Sequence, residues 1–407
     1  MQREWSREQI EAALRDDHFG YQNVALPYGL ETGGEDRSDT ARAIFGDNVE
    51  GKSVFDLGSR FGFFCFYAEE RGAEDILGTD IDPENVRKSR LLAEIRKSRA
   101  RFSHFDIERE EIAGGPFDYV LCLNVLHHLR NPLAALDRLI AVTGERLVIE
   151  VAAFSRRGDR RNSNVSLWSA LFLNRFPIFY VARDSTQTFF ITVAALKVLL
   201  LEKRADFARV DVVPGGPKGR PILIAHRRKI GRLLVVAGVP ASGKSTFIDH
   251  LQSESGHEIA RQLGFAEKPE WSVLHFRKWR ENEETTIGDL IIHYNISEHL
   301  IDGDLFRHSN ALSDLISIAG QTTVVTLACP LERLLRQFTE NRIRSGGKLF
   351  RRRKNRRLLR LYQNRVSFNE LYADWFAFFR QAGLDSYVVK HDGGPYSVSR
   401  ENSLPGY

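Results

Sequence analysis

Short apolar runs alternate with amphipathic stretches between residues 53 and 151 of this chain. Short apolar runs are typical of buried strands, and apolar residues at three- to four-residue spacing are typical of helices. The pattern predicts strands at Ser53–Leu57, Asp75–Asp80, Ala100–Phe105, Phe117–Leu123 and Arg146–Val151. It predicts intervening helices at Phe63–Arg71, Pro83–Lys97 and Leu133–Val142. Such alternation predicts a parallel sheet that is covered by helices on both faces.

The alternation is interrupted at residues 152–187 and then resumes. A helix is predicted at Val193–Arg204, and strands are predicted at Ala208–Val213 and Pro221–His226. A Pro-Gly turn separates these two strands, so we expect a hairpin that completes a Rossmann-like sheet of seven strands by residue 228. The domain is therefore expected to cover residues 51–228, with 152–187 as an insertion.

Residues 1–50 combine a short amphipathic segment with a stretch from Tyr21 to Gly34 that is rich in turn-forming residues. Polar, turn-rich segments of this kind are typical of loops. We therefore expect residues 1–50 to form a helical extension or lid of the first domain.

A second α/β pattern occupies residues 232–407, after a very short linker at 227–231. Strands are predicted at Leu233–Ala237, Leu290–Ile296, Thr322–Leu327 and Ser386–Lys390. Helices are predicted at Lys244–Ser253, Leu331–Asn341 and Phe368–Gln381. The chain is thus expected to carry a second, smaller three-layer α/β domain.

Composition agrees with two ordinary globular domains, because 43% of the 407 residues are hydrophobic and 27% are charged.

Cys65, Cys122 and Cys329 are too far apart for a disulfide or zinc framework, which favours a reducing compartment. The N-terminus lacks the apolar region of a signal peptide, and the run Ile191–Leu201 is too short to span a bilayer. We therefore expect a cytoplasmic protein without a transmembrane segment.

Polar residues follow four successive strands of the first domain. Asp56, Gly58 and Gly62 lie at the end of the first strand, and Asp80, Asp106 and Asn124 end the next three. Ligands bind at the carboxyl ends of the strands in such sheets, and glycine lets the backbone approach a cofactor closely. The acid at Asp80 suits ribose hydroxyls, and Asp106 suits the exocyclic amine of an adenine. These residues predict an adenosine cofactor; a nicotinamide site would instead require G-x-G-x-x-G, which is absent here.

Acceptor chemistry is predicted at two places in the first domain. His127 or His128, after the fourth strand, is expected to act as general base for an acceptor hydroxyl, with His127 preferred. The alternative is that these histidines only cap the strand or pack on the following helix. Segment 152–187 carries arginines and aromatic residues that suit an anionic or sugar-like acceptor, namely Arg156, Arg157, Trp168, Tyr180 and Arg183. An ordinary helical cover is the alternative for this segment.

The stretch Gly238–Thr246 fits the phosphate-loop pattern G-x-x-x-x-G-K-[ST] in full. In such a loop the backbone N–H groups wrap phosphates, Lys244 reaches the β and γ oxygens, and Ser245 ligates Mg²⁺. ATP and Mg²⁺ are therefore predicted ligands of the residues Gly238, Ser242, Gly243, Lys244, Ser245 and Thr246. Asp289, Asp302 and Asp304 are candidates for a magnesium ligand or for the acceptor base.

Positive charge is concentrated between Asn341 and Arg365, where eleven residues are Lys or Arg and none is acidic. Clusters of this kind bind phosphates or anionic surfaces, although many are simply solvated helix faces. Segment 341–365 is predicted to be a basic lid of the second domain. Contact with a membrane surface through residues such as Arg351, Arg352, Arg353 and Lys354 is an alternative.

The order of the polar residues at the strand ends in residues 50–228 resembles that of the class I S-adenosylmethionine-dependent methyltransferases. Within them, the stretches LPYGLETG (Leu26–Gly33) and GKSVFDLGSRFGFF (Gly51–Phe64) are similar to the tRNA wobble-uridine carboxymethyltransferase-like branch. Arg60 stands at the position of the middle glycine in the usual D-x-G-x-G-x-G motif, which makes it a candidate cofactor or substrate contact. The resemblance implies S-adenosylmethionine as cofactor but does not identify the acceptor.

Residues 232–390 resemble small P-loop kinases in their late strand, helix and arginine-bearing lid. The resemblance implies that Arg342 and Arg344 approach the transferring phosphoryl group, where positive charge stabilises the transition state. The leading hypothesis is a bifunctional methyltransferase and ATP-dependent kinase that modifies one acceptor, such as a glycan terminus or another hydroxyl or phosphate compound. One alternative is an RNA-modifying methyltransferase with polynucleotide kinase activity. Another is a methyltransferase regulated by a nucleotide-binding domain that does not transfer phosphate.

Overall fold

A computed structural model describes residues 4–152, 173, 175–181, 189–203, 206–213, 220–265, 271–276, 278–297, 310–344, 360–391 and 395–400. The chain divides into two compact units. The first lies within residues 1–202 and 207–227, and the second lies within 203–206 and 228–407. Within the described ranges, no helix combines the length and apolar character needed to cross a bilayer.

A seven-stranded sheet forms the centre of the first unit. Its strands are β1 (Ser53–Leu57), β2 (Asp75–Asp80), β3 (Arg101–His104), β4 (Phe117–Leu123), β5 (Thr143–Glu150), β8 (Phe207–Val213) and β9 (Ile222–Arg227). The spatial order is β3-β2-β1-β4-β5-β9-β8, with parallel pairing from β3 to β5 and antiparallel pairing of β9 with both neighbours. The predicted α/β class and seven-stranded Rossmann-like sheet are confirmed. Strands β6 (Phe179–Val181) and β7 (Phe189–Ile191) form a separate antiparallel pair.

The central strand β1 is buried on both faces. Val54 packs in one apolar cluster with residues of the N-terminal segment, whereas Phe55 packs in a second cluster on the opposite face. Alternate residues of a strand point to opposite faces, so two covered faces require a continuous apolar run rather than an alternating one. This explains why two adjacent positions of β1, Val54 and Phe55, are both apolar, directly before Asp56.

Helices cover the sheet of the first unit. They are α1 (Arg7–Asp16), α2 (Ser38–Phe45), α3 (Phe63–Glu69), α4 (Pro83–Arg96), α5 (Pro132–Ala141) and α6 (Val193–Lys197). Helix α1 begins at a capping box between Ser6 and Gln9, and Asp82 caps α4 by accepting from the Glu84 N–H. The predicted helix Val193–Arg204 is α-helical only to Lys197 and continues as π-helix over Val198–Lys203.

The N-terminal extension contributes to the core of the first unit. Ile10, Val24 and Ile44 are buried in the same cluster as Val54. The stretch Tyr21–Gly34, predicted as a loop, contains isolated β-bridges and a short 3-10 helix at Pro27–Gly29. Residues 4–50 therefore pack on the rest of the domain through buried side chains, and some of them line the cavity described below.

The second unit contains a six-stranded sheet. Its strands are β10 (Lys229–Gly238), β11 (Trp271–His275), β12 (Thr286–Asn295), β13 (Ala319–Ala328), β14 (Asp385–Lys390) and β15 (Ser397–Ser399). The order is β11-β12-β10-β13-β14-β15, and only β15 pairs in the antiparallel sense. The helices are α7 (Lys244–Leu251), α8 (His257–Gln262), α9 (Asn310–Ser317), α10 (Leu331–Arg344) and α11 (Arg365–Gln381). The predicted second α/β sheet is thus present, with β11 and β15 as additional strands.

Candidate functional site

A cavity of about 490 Å³ opens at the carboxyl ends of the parallel strands in the first unit. Its lining includes seven of the residues predicted from the sequence, namely Asp56, Gly58, Arg60, Asp80, Asp106, Asn124 and His128. These residues come from four strand ends that meet at one edge of the sheet, which is where α/β sheets bind ligands. Gly62 and His127 are not part of the lining.

Asp80 is held by three hydrogen bonds at the end of β2. Its Oδ2 accepts from the Arg60 N–H at 3.0 Å, and its Oδ1 accepts from the Asp82 N–H at 2.9 Å and from Asn85 Nδ2 at 3.1 Å. A carboxylate offers about four lone-pair sites, so Asp80 retains acceptor capacity toward the cavity. Its orientation is fixed before any ligand binds.

Asp56 is buried at the end of β1, with 1% of its surface exposed. Burial raises the pKa of its carboxyl to about 7, and the nearby carboxylate of Asp80 also raises it. The contact with Cys65 Sγ at 3.8 Å and the charge of Arg37 lower the pKa and so oppose the shift. A buried carboxyl with an elevated pKa is stabilised in its ionised form by any cation that approaches it. A positively charged ligand in this cavity would therefore favour the ionised form of Asp56.

Gly58 and Asn124 shape the floor of the cavity. Gly58 has φ of 74°, and a Cβ at this position would lie 2.6 Å from Cγ2 of Val125. Only glycine therefore fits both the backbone conformation and the space. Asn124 also lies in the left-handed region, with φ of 66°, and its buried Oδ1 has no hydrogen-bond partner in the described part of the chain. An unsatisfied buried acceptor in a cavity is a position where a ligand donor would be bound.

Asp106 lies beside an apolar rim of the same cavity. Its Oδ1 accepts from the Glu108 N–H at 2.9 Å, and its Oδ2 lies 3.4 Å from Arg109 Nε. Ile81 and Ile107 also line the cavity, and Ile81 is 62% exposed. An exposed apolar side chain next to a carboxylate suits a flat ring that carries an amine at its edge.

Among the cavity residues that the sequence analysis missed, three belong to the N-terminal extension. Gln22 Oε1 accepts from the Phe61 N–H at 2.9 Å, and the Arg60 guanidinium lies over the ring of Tyr21 at 4.8 Å. Arg37 donates through Nη2 to Glu150 Oε2 at 2.7 Å, and both side chains are nearly buried. The polar stretch after Tyr21 gave a signal for a lid, whereas nothing in the pattern singled out Arg37.

The two histidines after β4 occupy different environments, and the structure places His128, not the preferred His127, in the lining of the cavity. His128 lines the cavity, whereas His127 is 3% exposed in an apolar niche with Leu126, Ile149 and Leu196. Burial, the neighbouring His128 and Arg220 lower the pKa of His127 to about 3. The two ring centroids are only 4.1 Å apart, but the short 3-10 helix Leu126–His128 directs the two side chains into different environments.

Gly62 has a structural position rather than a place in the cavity lining. It precedes α3 with φ of 87°, and a Cβ there would lie 2.6 Å from Cζ of Phe102. Glycine at this position therefore allows the turn from β1 to pack closely against Phe102. Its predicted contact with the cofactor remains a prediction.

The second unit places the loop that matches the phosphate-loop pattern, called the phosphate loop below, between β10 and α7. Gly238 ends the strand, and Gly243 precedes the helix with φ of 90°. Lys244 Nζ, which is almost fully buried, donates to the carbonyl oxygens of Gly238 at 2.8 Å and Val239 at 2.7 Å. Ser242 is buried, and its Oγ has no hydrogen-bond partner within the described ranges. The loop therefore curls around its own lysine at the N-terminus of a helix.

The tip of this loop is held from outside by two side chains. Tyr362 donates from its buried hydroxyl to the Pro240 carbonyl at 2.8 Å. Gln337, with its amide oriented to satisfy both neighbours, donates to the Ala241 carbonyl at 2.5 Å and accepts from Arg333 Nε at 3.3 Å. Ala241 lies in the left-handed region with φ of 66°. These contacts stabilise a loop conformation that a free chain would rarely adopt.

A cavity of about 530 Å³ adjoins the phosphate loop. It is lined by Ala241, Gly243, Lys244, Ser245, Thr246, His293 and Gln337. Burial alone lowers the pKa of Lys244 to about 7. The predicted residues Lys244, Ser245, Thr246 and Gly243 thus lie together, whereas Gly238 and Ser242 form the loop behind them.

Asp289 does not belong to this site, contrary to the sequence-based expectation. Strand β12 begins at Thr286, so Asp289 lies near its start, paired in register with Arg232 and distant from the strand end at Asn295. Arg232 holds its carboxylate with two hydrogen bonds of 2.9 and 2.5 Å. Asp302 and Asp304 lie outside the described residues. Among the described residues, no group of three or more His, Cys, Asp or Glu is arranged to hold a metal ion.

Arg342 and Arg344 lie in the last turn of α10, and their side chains are outside what the structure describes. Residues 345–359, which include Arg351, Arg352, Arg353 and Lys354, lie outside the described residues as well. Arg156, Arg157, Trp168 and Arg183 of the predicted acceptor segment do so too, whereas Tyr180 lies in β6. The predicted roles of these residues remain predictions.

Comparison with known families places a methyltransferase domain in the first unit. A family model described as a methyltransferase domain matches residues 35–201. A tRNA U34 carboxymethyltransferase of Campylobacter hominis is 30% identical over 92 residues, which is 23% of this chain and 32% of that protein. A ubiquinone biosynthesis O-methyltransferase of Psychrobacter cryohalolentis is 27% identical over 168 residues, 40% of this chain and 62% of that protein. The chain therefore spans less than two thirds of the length of these curated relatives.

Solved structures also align with this part of the chain. The N-terminal domain of EvdMO1, crystallised in the presence of SAH and D-fucose, aligns over 55% of this chain and 98% of that chain, at 17% identity and a TM-score of 0.43. The magnesium protoporphyrin IX methyltransferase of Synechocystis aligns over 47% of this chain and 81% of that chain, at 21% identity and a TM-score of 0.36. The sequence match over residues 35–201 identifies a class I S-adenosylmethionine-dependent methyltransferase domain.

Proposed function

We propose that the methyltransferase domain of residues 35–201 binds S-adenosylmethionine in the cavity at the ends of β1, β2 and β4 and transfers its methyl group to an acceptor. The observation that carries the proposal is the fixed carboxylate of Asp80, which faces the cavity with acceptor capacity to spare. Two ribose hydroxyls need such an acceptor, and two main-chain N–H groups together with the side-chain amide of Asn85 keep it in place.

The charges of the cavity fit this cofactor. Four carboxyl groups line it, from Asp56, Asp80, Asp106 and Glu108, against the guanidinium groups of Arg37 and Arg60. S-Adenosylmethionine carries two positive charges and one carboxylate, and it supplies an electrophilic methyl group when it is bound. The acidic lining would attract the positive groups, and Arg37 is placed to meet the carboxylate.

Individual contacts follow from the same geometry. Asp80 would bind the ribose hydroxyls, and Asp106 would accept from the exocyclic amine of an adenine that packs on Ile81. Asn124 Oδ1, which lacks a protein partner among the described residues, would accept from the ammonium group. Gly58 would let the backbone approach the cofactor, because no side chain fits there.

His128 is our candidate for the general base. Its imidazole lines the cavity, and it would accept the proton that an acceptor hydroxyl loses as its oxygen is methylated. His127 would not serve, because its ring is buried in an apolar niche and the low pKa of its imidazole disfavours taking up a proton. The role of His127 is therefore to pack beneath the cavity.

For the acceptor, we propose a hydroxyl compound such as a glycan terminus, or a phosphate compound. A histidine base at the cavity supports a hydroxyl acceptor, and the relative from Psychrobacter cryohalolentis is named as an O-methyltransferase. An RNA acceptor is the second candidate, because several relatives are named as tRNA U34 carboxymethyltransferases. The two differ in a direct test with ribonuclease, which would release the label only from an RNA product.

For the second unit, we propose nucleotide binding at the phosphate loop. A buried Lys244 that bonds to two loop carbonyls, at the start of α7, is an arrangement that can exchange those carbonyls for phosphate oxygens. Mg²⁺ fits less well, because the described lining offers the hydroxyls of Ser245 and Thr246 and the amide of Gln337 but no carboxylate. ATP-dependent phosphoryl transfer to the same acceptor remains a prediction, as does regulation of the methyltransferase by bound nucleotide.

The proposal is tested by incubating the full chain with S-adenosylmethionine labelled in its methyl group and with fractionated cell extract. We expect label in one acceptor fraction, and we expect its loss in the Asp80→Ala variant. A parallel incubation with γ-labelled ATP, with Lys244→Ala as its control, asks whether phosphate reaches the same molecule. Equal methyl incorporation by the wild type and Asp80→Ala would contradict the assignment of this cavity.

A further inference from the structure

The imidazole of His293 lies beside Lys244 in the phosphate-loop cavity. His293 belongs to β12, where it is paired in register with Val236 of β10, the strand that leads into the loop. His293 is the residue of β12 that lines the cavity. The side chain therefore faces the same space as Lys244, Ser245 and Thr246.

No carboxylate is present among the described residues that line this cavity. Burial alone lowers the pKa of Lys244, and burial, Lys244 and His275 together lower the pKa of His293 to about 4. A nearby carboxylate would raise both pKa values, and none contributes to either. Among the described residues, no carboxylate therefore compensates the ammonium group of Lys244, and the imidazole of His293 beside it is neutral at pH 7.

From this arrangement we infer that the phosphate-loop site binds a diphosphate or triphosphate group without a divalent metal ion, and that His293 donates a hydrogen bond to one of the phosphate oxygens. The inference rests on the proposed nucleotide binding at the loop. It names the chemistry of the ligand as a polyphosphate anion, met by Lys244, by the N–H groups at the start of α7 and by the imidazole N–H.

The reason is the difference between a carboxylate and an imidazole as a neighbour of bound phosphates. A carboxylate at this position would repel phosphate oxygens unless Mg²⁺ lay between them. A neutral imidazole instead offers an N–H donor and needs no intervening metal. Within the described ranges, the titratable groups that act on His293 from neighbouring elements are Lys244 on α7 and His275 on β11, and neither is an anion.

His275 supports the orientation of His293. The two residues are paired in register on adjacent parallel strands, and their rings meet edge to face with centroids 4.5 Å apart. Edge-to-face packing fixes the plane of an aromatic ring. His275 is thus a positioning residue for the imidazole that faces the phosphate loop.

The test is a calorimetric titration of the full chain with ADP, once with EDTA and once with Mg²⁺, at neutral pH. We expect ADP to bind in EDTA, with an affinity that Mg²⁺ changes by less than about threefold. His293→Ala should weaken binding about tenfold in both buffers, which corresponds to one hydrogen bond to a charged group. His293→Asp should weaken it further in EDTA and make binding depend on Mg²⁺. The control is His257→Ala, which alters a histidine of the same unit outside the cavity lining.

Different results would overturn the inference and the proposal beneath it. Wild-type binding that Mg²⁺ strengthens tenfold or more, or equal affinity of His293→Ala and the wild type, would overturn the role of His293 while leaving the phosphate loop as the nucleotide site. ADP binding that is unchanged in Lys244→Ala, or no binding in either buffer, would overturn nucleotide binding at the loop itself. Pyrophosphate alone should compete with ADP in EDTA, and failure to compete would also contradict the inference.

Discussion

The main-chain N–H of Arg60 donates a hydrogen bond of 3.0 Å to Oδ2 of Asp80, although Arg60 lies in the left-handed region with φ of 56°. That conformation costs an L-residue about 1–2 kcal/mol. A hydrogen bond to a carboxylate offsets this cost, and the guanidinium gains a further contact over the ring of Tyr21. The bond ties the turn after β1 to the end of β2, which are the two strand ends that we propose hold the cofactor.

Arg37 and Glu150 form a nearly buried ion pair, and we predict that its disruption destabilises the first unit. Glu150→Ala leaves a buried guanidinium without its carboxylate partner, and we expect a loss of about 3 kcal/mol in the free energy of unfolding. Urea denaturation measures this loss. The matched control is Asp75→Ala, which removes the partner of Arg101 in an ion pair whose side chains are more than half exposed, and which should cost less than about 1 kcal/mol. Equal losses in the two variants would show that burial does not govern the strength of the pair.

Asp56 should make the stability of the first unit fall as the pH rises. Burial raises the pKa of its carboxyl to about 7 in the folded state, above the ordinary value of 3.8. Between pH 4 and pH 7 the folded state therefore holds a proton that the unfolded state has released. The stabilisation is present below pH 4 and is lost as the pH passes 7.

Asp56→Asn removes this titration. The free energy of unfolding of the variant, relative to that of the wild type, should therefore increase by an amount on the order of 3 kcal/mol between pH 4 and pH 8. Urea denaturation of both proteins at several pH values gives the difference. A constant difference across this range would show that Asp56 is not shifted in the folded state.

His128 and His127 should respond differently to substitution. His128→Gln should lower the rate of methyl transfer by about 10²-fold or more, because it removes a general base, while the affinity for S-adenosylhomocysteine stays unchanged. His127→Gln should instead reduce stability, since it places an amide in an apolar niche. Measurements of transfer rate, cofactor affinity and urea midpoint on each variant separate the two roles. A greater loss of rate in His127→Gln than in His128→Gln would reverse our assignment.

The sequence predicted the strand ends of the first unit because each was marked by a change from apolar to polar residues. Asp56, Asp80 and Asn124 all line one cavity, as expected when parallel strands end at one edge. Arg37 and Tyr21 were missed as cavity residues because their positions depend on how the N-terminal extension folds over the sheet. Such long-range packing leaves no local pattern in the chain.

The errors have local causes too. Asp289 was a candidate because it precedes the apolar run Leu290–Ile296, but β12 starts four residues before that run, and Asp289 pairs in register with Arg232 near the start of the strand. The sequence did not show that His128, and not His127, lines the cavity, since a single 3-10 turn decides which of two adjacent rings faces it. Strand β11 was missed because it is an edge strand with largely exposed residues, so that its apolar pattern is weak.

The most direct test of the central claim is a calorimetric titration of the full chain with S-adenosylhomocysteine, beside Asp80→Asn and Asp75→Asn. The two carboxylates lie on the same strand, but Asp75 is at its exposed start and Asp80 is at the cavity. We predict one binding site in the wild type, an affinity about tenfold or more lower in Asp80→Asn, and no change in Asp75→Asn. Absence of binding in the wild type, or equal affinity in all three proteins, would contradict the account.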